Sequence, residues 1–227
     1  MMRVLDRPVW TSLSTSHAAL SVGNALARRY APDVNVFASA CDDTVPALQA
    51  LADLIHPGER VFILQVPAIV VPPAVVALKE AKGVQLTATR SVPAPVAHDD
   101  MVSLTDADAP EMLALAKLTE PGPFLSRTHT MGAFIGIRIH GRLAAMAGER
   151  LRFPGYTEVS GVCTHPDFRG RGLARRLSAA VAAGIEARGE RPFLHAWKTN
   201  TAAIALYESL GFEIRNEVNV AVFERGT

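Results

Sequence analysis

Short apolar runs and amphipathic stretches alternate along the chain, and the alternation breaks in one place. From Ser91 to Asp100 the order Ser-Val-Pro-Ala-Pro-Val-Ala-His-Asp-Asp holds two prolines, two closing acids and no period. Proline fixes φ and removes a donor, so this stretch reads as an extended connector. It divides the pattern into an N-terminal region, 1–97, and a C-terminal domain, 98–227. In the first, Val34 to Ala38 is a β-prone run, and Arg60 to Val66 and Val84 to Arg90 read as strands. Leu48, Leu51, Leu54 and Ile55 recur at helical spacing behind the cap formers Asp42, Asp43 and Thr44, and Pro57-Gly58 ends that helix. Val75 to Ala81 reads as a helical turn or two, and Pro8 to Tyr30 has no assignable period. The whole is a small α/β layer without a chemical motif.

The second region carries more signal. Asp106 to Leu118 reads as a helix that Pro121-Gly122-Pro123 terminates. Met131 to His140 and Arg142 to Arg152 read as a hairpin turning at His140-Gly141, and Tyr156 to Thr164 as a third strand. A glycine-arginine loop follows, then a helix with Leu173, Leu177, Ala180, Val181 and Ile185 on one face. Pro192 to Trp197 is a further strand, and Asn200 to Leu210 a helix that Gly211 can cap. Phe212 to Arg215 and Val218 to Glu224 close the chain with strand-like runs.

Composition narrows the setting. Of 227 residues 49% are hydrophobic, enough for a sizeable core. The 23 basic and 22 acidic residues leave a net charge of +1, which gives no electrostatic case for a nucleic-acid partner. Cys41 and Cys163 form neither a disulfide framework nor a metal-ligand spacing, so a reducing compartment and no metal are expected. Met1 to Trp10 lacks a signal-peptide core, and the apolar stretch Val66 to Leu78 is broken by Pro67, Pro72 and Pro73. These features make a cytoplasmic protein without a membrane partner the expectation.

The chemistry concentrates in Arg169-Gly170-Arg171-Gly172-Leu173-Ala174-Arg175, between a strand and a helix. The first N–H groups of a helix lack internal partners and its dipole favours anions, so such a loop suits a phosphate. A P-loop string is absent, and Arg175 stands where a dinucleotide fingerprint needs its third small residue. Arg169, Gly172 and Ala174 instead fit Arg/Gln-x-x-Gly-x-Gly/Ala, and Asn200, Ala203, Tyr207, Gly211 and Phe212 fit Asn-x-x-Ala-x-x-x-Tyr-x-x-x-Gly-Phe. In both strings, from about Met101 to Thr227, the chain resembles the GCN5-related N-acetyltransferase superfamily, particularly its FR47-like members. The N-terminal region compares only loosely with the extra region of glycine acyltransferase-like enzymes.

The resemblance implies a fold and a site. The fold would be α/β: a mixed, mainly antiparallel twisted sheet flanked by helices and splayed where acetyl-CoA enters. The loop Arg169 to Arg175 would hold the pyrophosphate, and Val162, Cys163 and Thr164 would pair with the pantetheine arm, with an N–H near Val162 facing the thioester oxygen. An alkyl amine is mostly protonated at neutral pH, so a base must act, and Glu158 stands at the family's offset, eleven residues before Arg169. Water is the other option. Tyr207 would protonate, or hydrogen-bond, the departing thiolate. The reaction would move an acetyl group directly to a primary amine of a small molecule or peptide, without a metal, and a homodimer is compatible with it.

Each residue also has a plainer reading. Glu158 could face outward on its strand, Tyr207 could only pack, and Asn200 could only cap its helix. Cys163 reads as a small buried hydrophobe and His165 as a turn residue. His195 and Trp197 share a strand face with Phe193, where packing is the simple role, though Trp197 at the strand end could line an acceptor cleft. Phe124 and Arg127 stand where the acceptor loop would be, Arg127 either meeting a carboxylate or solvated. The alternatives to acetyl transfer are a non-catalytic CoA sensor, transfer of a longer acyl group, and a macromolecular interaction role for the N-terminal region.

Overall fold

A computed structural model of the chain describes residues 4–93 and 100–226, so most of the expected connector lies outside the described residues. The N-terminal part holds α1 (Pro8–Ser14), β1 (Ser21–Gly23), β2 (Ala27–Tyr30), β3 (Ala38–Ala40), α2 (Val45–Asp53), β4 (Arg60–Gln65) and β5 (Val75–Ala88). Then come β6 (Met101–Leu104), α3 (Ala109–Thr119), β7 (Phe134–Ile139), β8 (Arg142–Phe153), β9 (Tyr156–Thr164), α4 (Leu173–Ala187), β10 (Arg191–Trp197), α5 (Thr201–Ser209) and β11 (Phe212–Arg225). Strands β1 to β3 form a small antiparallel sheet. The other eight form one sheet in the order β4-β11-β5-β10-β9-β8-β7-β6. All its pairings are antiparallel except β9 with β10. This is the mixed, mainly antiparallel α/β sheet that the family resemblance implied for the C-terminal part, extended by β4 and β5 from the N-terminal region.

Local chemistry sets most elements. In α4, Leu173, Leu177, Val181 and Ile185 follow i, i+4 spacing and are buried against β8 and β9, in one apolar cluster with Val159, Leu194 and Phe212. The β7–β8 hairpin turns through His140 and Gly141, both at positive φ (52° and 79°), the tight-turn geometry a two-residue connection needs. Asn200 caps α5, its side-chain oxygen accepting from the Ala203 N–H at 3.1 Å.

One segment departs from its pattern. Val75 to Ala81, expected to be helical, is the first half of the fourteen-residue strand β5. The long strand β11 runs beside it from Val75↔Arg225 to Ala88↔Phe212, and this pairing overrides a weak helical period. The same pairing fuses the two expected C-terminal runs into one strand, with irregularities at Ile214/Asn216 and Val222/Phe223.

Strand β5 also sits between β11 and β10, so residues from both sides of the connector share one sheet. A fragment beginning at residue 98 would leave β10 without its antiparallel neighbour and β11 without both of its own. Unpaired backbone groups and the apolar face they carry then lose their cover. We expect that fragment to show no cooperative thermal transition by circular dichroism. A sharp transition like that of the whole chain would refute the dependence.

Candidate active site

Strands β9 and β10 pair only at Tyr156↔Arg191, Thr157↔Pro192 and Glu158↔Phe193. Beyond Glu158 they part, and the opening between them is the mouth of a cleft of about 840 Å³. From β9 it is lined by Val162, Cys163 and Thr164, and from β10 by His195, Ala196 and Trp197. A bulge helps aim the β9 side. Two residues, Gly161 and Val162, oppose the single residue Ala147, and Gly161 takes the left-handed conformation (φ +63°) that this requires.

At the outer end of the cleft lies the loop Arg169 to Arg175, all seven residues of which line it. Gly170 and Gly172 are both left-handed (φ +75° and +71°), and a Cβ at either would meet no atom within 4 Å. The backbone over them is therefore not covered by other atoms. Gly172 is the N-cap of α4, whose first N–H groups have no helical partner. Arg171 stacks over Phe168, its guanidinium 5.4 Å from the ring centre, and Arg175 donates to the Ser209 hydroxyl. The exposed loop thus joins free donors, positive charge and unobstructed backbone, which suits a CoA diphosphate. Asn200 and Tyr207 line the same cleft from α5 and its N-terminus. Burial pushes the Tyr207 phenol up to about 12, so it keeps its proton at any working pH.

Glu158 marks the vertex of the fork. It does not face outward: its side chain is fully buried. A second bulge, in β8, sets Arg150 and Leu151 opposite it, between the pairs Glu149↔Val159 and Arg152↔Thr157. Both then reach its carboxylate. Arg150 donates from Nε and Nη2 at 2.8 and 2.7 Å, and the Leu151 N–H at 3.2 Å. His195 Nδ1 lies 2.7 Å from Oε1, across the opening. Burial alone would raise the carboxyl pKa, but the Arg150 charge and hydrogen bonds, with His195, bring it down to about 2. The same partner keeps Arg150 charged in spite of its burial. A carboxylate held that low is a weak proton acceptor, a poor starting point for the base role expected of Glu158.

His195 is tied at both ring nitrogens. Its Nε2 lies 3.0 Å from Gln85 Nε2, and the Gln85 amide is oriented by the Leu5 carbonyl on its nitrogen and by Arg215 on its oxygen. That orientation makes Gln85 a donor, so His195 carries its proton on Nδ1, toward Glu158.

The cleft gathers every expected cofactor-binding residue together with Tyr207 and Trp197, whereas Glu158 lies behind its wall. Phe124 and Arg127 stay outside it: Phe124 packs edge-on against Phe134 at 5.7 Å, and Arg127 pairs with Asp33 at 3.1 Å. Cys163 is buried and its thiol pushed up to about 11, in keeping with packing. Sequence reasoning passed over Arg150, and over Phe37, Phe62 and Leu64, which enter the cleft from the N-terminal region. One signal was legible: Glu149-Arg150 interrupts a strand of buried residues, and a buried charge needs a partner. Among the described residues no cluster of His, Cys, Asp and Glu could hold a metal, and no helix is long and apolar enough to cross a membrane.

Known proteins share this fold. Residues 134–221 match the model of the FR47-like protein family. A GNAT-family protein from Novosphingobium aromaticivorans is 42% identical, with full coverage of both chains and a TM-score of 0.93. A GCN5-related N-acetyltransferase from Kribbella flavida, 15% identical over 100% of this chain and 98% of its own, shares the fold with a TM-score of 0.67. A mycothiol acetyltransferase from Thermobispora bispora is 37% identical over 93 residues, which is 40% of this chain and 30% of that protein's length.

The Glu158 cage has a pH signature. Its folded-state pKa lies below the ordinary 4.5, so its contribution to stability is complete above that value and is lost as pH falls toward about 2. Denaturant unfolding from pH 6 to pH 2 should show this acid-side loss in the parent and a flatter profile in Glu158→Gln. At pH 7 the variant, left with a buried Arg150 lacking its counter-charge, should be less stable by about 3–5 kcal/mol. Equal stability at pH 7 would argue against a buried ion pair.

Proposed function

The chain belongs to the GCN5-related N-acetyltransferase (GNAT) family, and on that footing we propose that it transfers the acetyl group of acetyl-CoA directly to a primary amine in a ternary complex. The observation that carries the reading is one shared cleft. The glycine-arginine loop, the end of β9 and Tyr207 all line it, as an extended CoA thioester and an incoming amine would require. In this reading the loop backbone from Arg169 to Arg175 holds the diphosphate. Val162 to Thr164 offer an edge to the pantetheine arm, and the re-aimed N–H near Val162 meets the thioester oxygen. Acetyl-CoA supplies the activated acyl group, and the protein supplies orientation and hydrogen bonds.

The amine must lose a proton. We assign proton acceptance to water in the cleft, and assign Glu158 the task of holding Arg150 and His195 in place, because four donors already saturate its carboxylate. Tyr207, neutral and at the cleft wall, offers its hydroxyl to the departing thiolate. The acceptor is a small molecule or peptide amine, and the free thiols Cys41 and Cys163 accord with a cytoplasmic setting.

Thiol release from acetyl-CoA over a panel of primary amines tests the activity, and no release with any amine, in a protein that binds CoA, would refute it. Gly172→Asp puts a side chain and a negative charge where the diphosphate belongs, and should weaken acetyl-CoA binding at least tenfold, about 1.4 kcal/mol. Unchanged affinity by calorimetry in a folded variant would remove the diphosphate assignment. Tyr207→Phe should lower kcat with little change in CoA affinity, since the hydroxyl acts mainly on the leaving group. With water as acceptor, kcat/KM should climb with pH toward the amine's own pKa, about 10 for an alkyl amine and about 8 for an α-amine. A plateau reached near pH 6–7 would instead identify a protein base.

A further inference from the structure

One end of the cleft is walled by Phe37, Phe62, Leu64, Val218 and Val220, from the β2–β3 connection, β4 and β11. These residues belong to one apolar cluster. A single guanidinium looks into this end. Arg150 is nine-tenths buried, spends Nε and Nη2 on Glu158, and lies over the Phe37 ring at 5.0 Å. Its Nη1 makes no hydrogen bond among the described residues, although Arg150 lines the cleft. That nitrogen faces the Pro121–Pro123 turn, 3.9 Å from where a Cβ on Gly122 would stand.

A ligand that fills this end displaces water from that N–H, so one that supplies an oxygen there avoids leaving a buried donor unpaired. The charge balance decides which oxygen. Glu158 already cancels the charge of Arg150, and a second carboxylate would be an extra ion facing Glu158 in an apolar pocket. A neutral carbonyl oxygen satisfies the donor without that cost. Arg150 also shares the wall of a small neighbouring cavity with Ser160 and Gly161, beside the β9 bulge. The amine would attack at that bulge, so the oxygen must stand within a few bonds of the amine.

The geometry points to an acceptor that is an α-amino amide with a large apolar side chain. Its carbonyl oxygen accepts from Arg150 Nη1, and its side chain fills the wall of Phe37, Phe62, Leu64, Val218 and Val220. The position of its amine rests on the acetyl-transfer reading.

Calorimetric binding to the CoA-saturated protein tests this without turnover. Phenylalanine amide should bind at least tenfold more tightly than phenethylamine, which lacks the oxygen, and more tightly than phenylalanine, which presents a carboxylate. Leucine amide should likewise exceed glycine amide. Arg150→Lys keeps a cation for Glu158 but removes the forked donor, and should erase the preference for the amide over phenethylamine. Equal binding of phenethylamine, tightest binding of phenylalanine, no binding of any of these compounds, or an amide preference that survives in Arg150→Lys would each overturn the inference. The wild-type ranking decides by itself should the variant not fold. Acetylation of the same amines separates the two readings. Binding in the expected order without transfer would leave the inference and refute acetyl transfer. Transfer without preference would do the reverse.

Discussion

Glu158 occupies the last position at which β9 and β10 still pair, and the whole cleft is organised around the way its buried charge is satisfied. An isolated carboxylate in the interior would be prohibitively costly, so the fold must bring donors to it. The β8 bulge does so from one side, by turning both Arg150 and the Leu151 N–H inward. His195 does so from the other, spanning the gap where the two strands have begun to part. The cage therefore ties β8, β9 and β10 together beside the point where the backbone pairing of β9 with β10 ends. Gln85 extends the tie into β5 by fixing the His195 tautomer.

A second consequence is the separation of tasks along the cleft. The outer end is exposed, glycine-rich and positive, and no atom lies within 4 Å of a Cβ built on Gly170 or Gly172. The inner end is apolar, and its charges are neutralised within the protein. Between them lie the β9 bulge and Tyr207.

The N-terminal region takes part in both the fold and the site. Strands β4 and β5 lie in the same sheet as β10 and β11, and Phe37, Phe62 and Leu64 form part of the cleft wall. It contributes shape, where the C-terminal part contributes the glycine-arginine loop. That explains how a region without a chemical motif can still stand at the cleft.

The sequence by itself determined what depends on neighbours in the chain. The loop Arg169 to Arg175 needs glycines at left-handed positions ahead of a helix, Asn200 needs only the N–H three residues on, and α4 needs only its i, i+4 face. These short-range requirements leave readable spacings, and the family motifs are made of them. Tertiary structure decided what depends on partners far apart. Val75 to Ala81 became a strand because β11 lies beside it, Phe124 and Arg127 were drawn away from the cleft by Phe134 and Asp33, and Glu158 became a caged anchor because Arg150 and His195 converge on it. The protonation and accessibility of a side chain follow from burial and nearby charge in three dimensions, and residue spacing encodes neither.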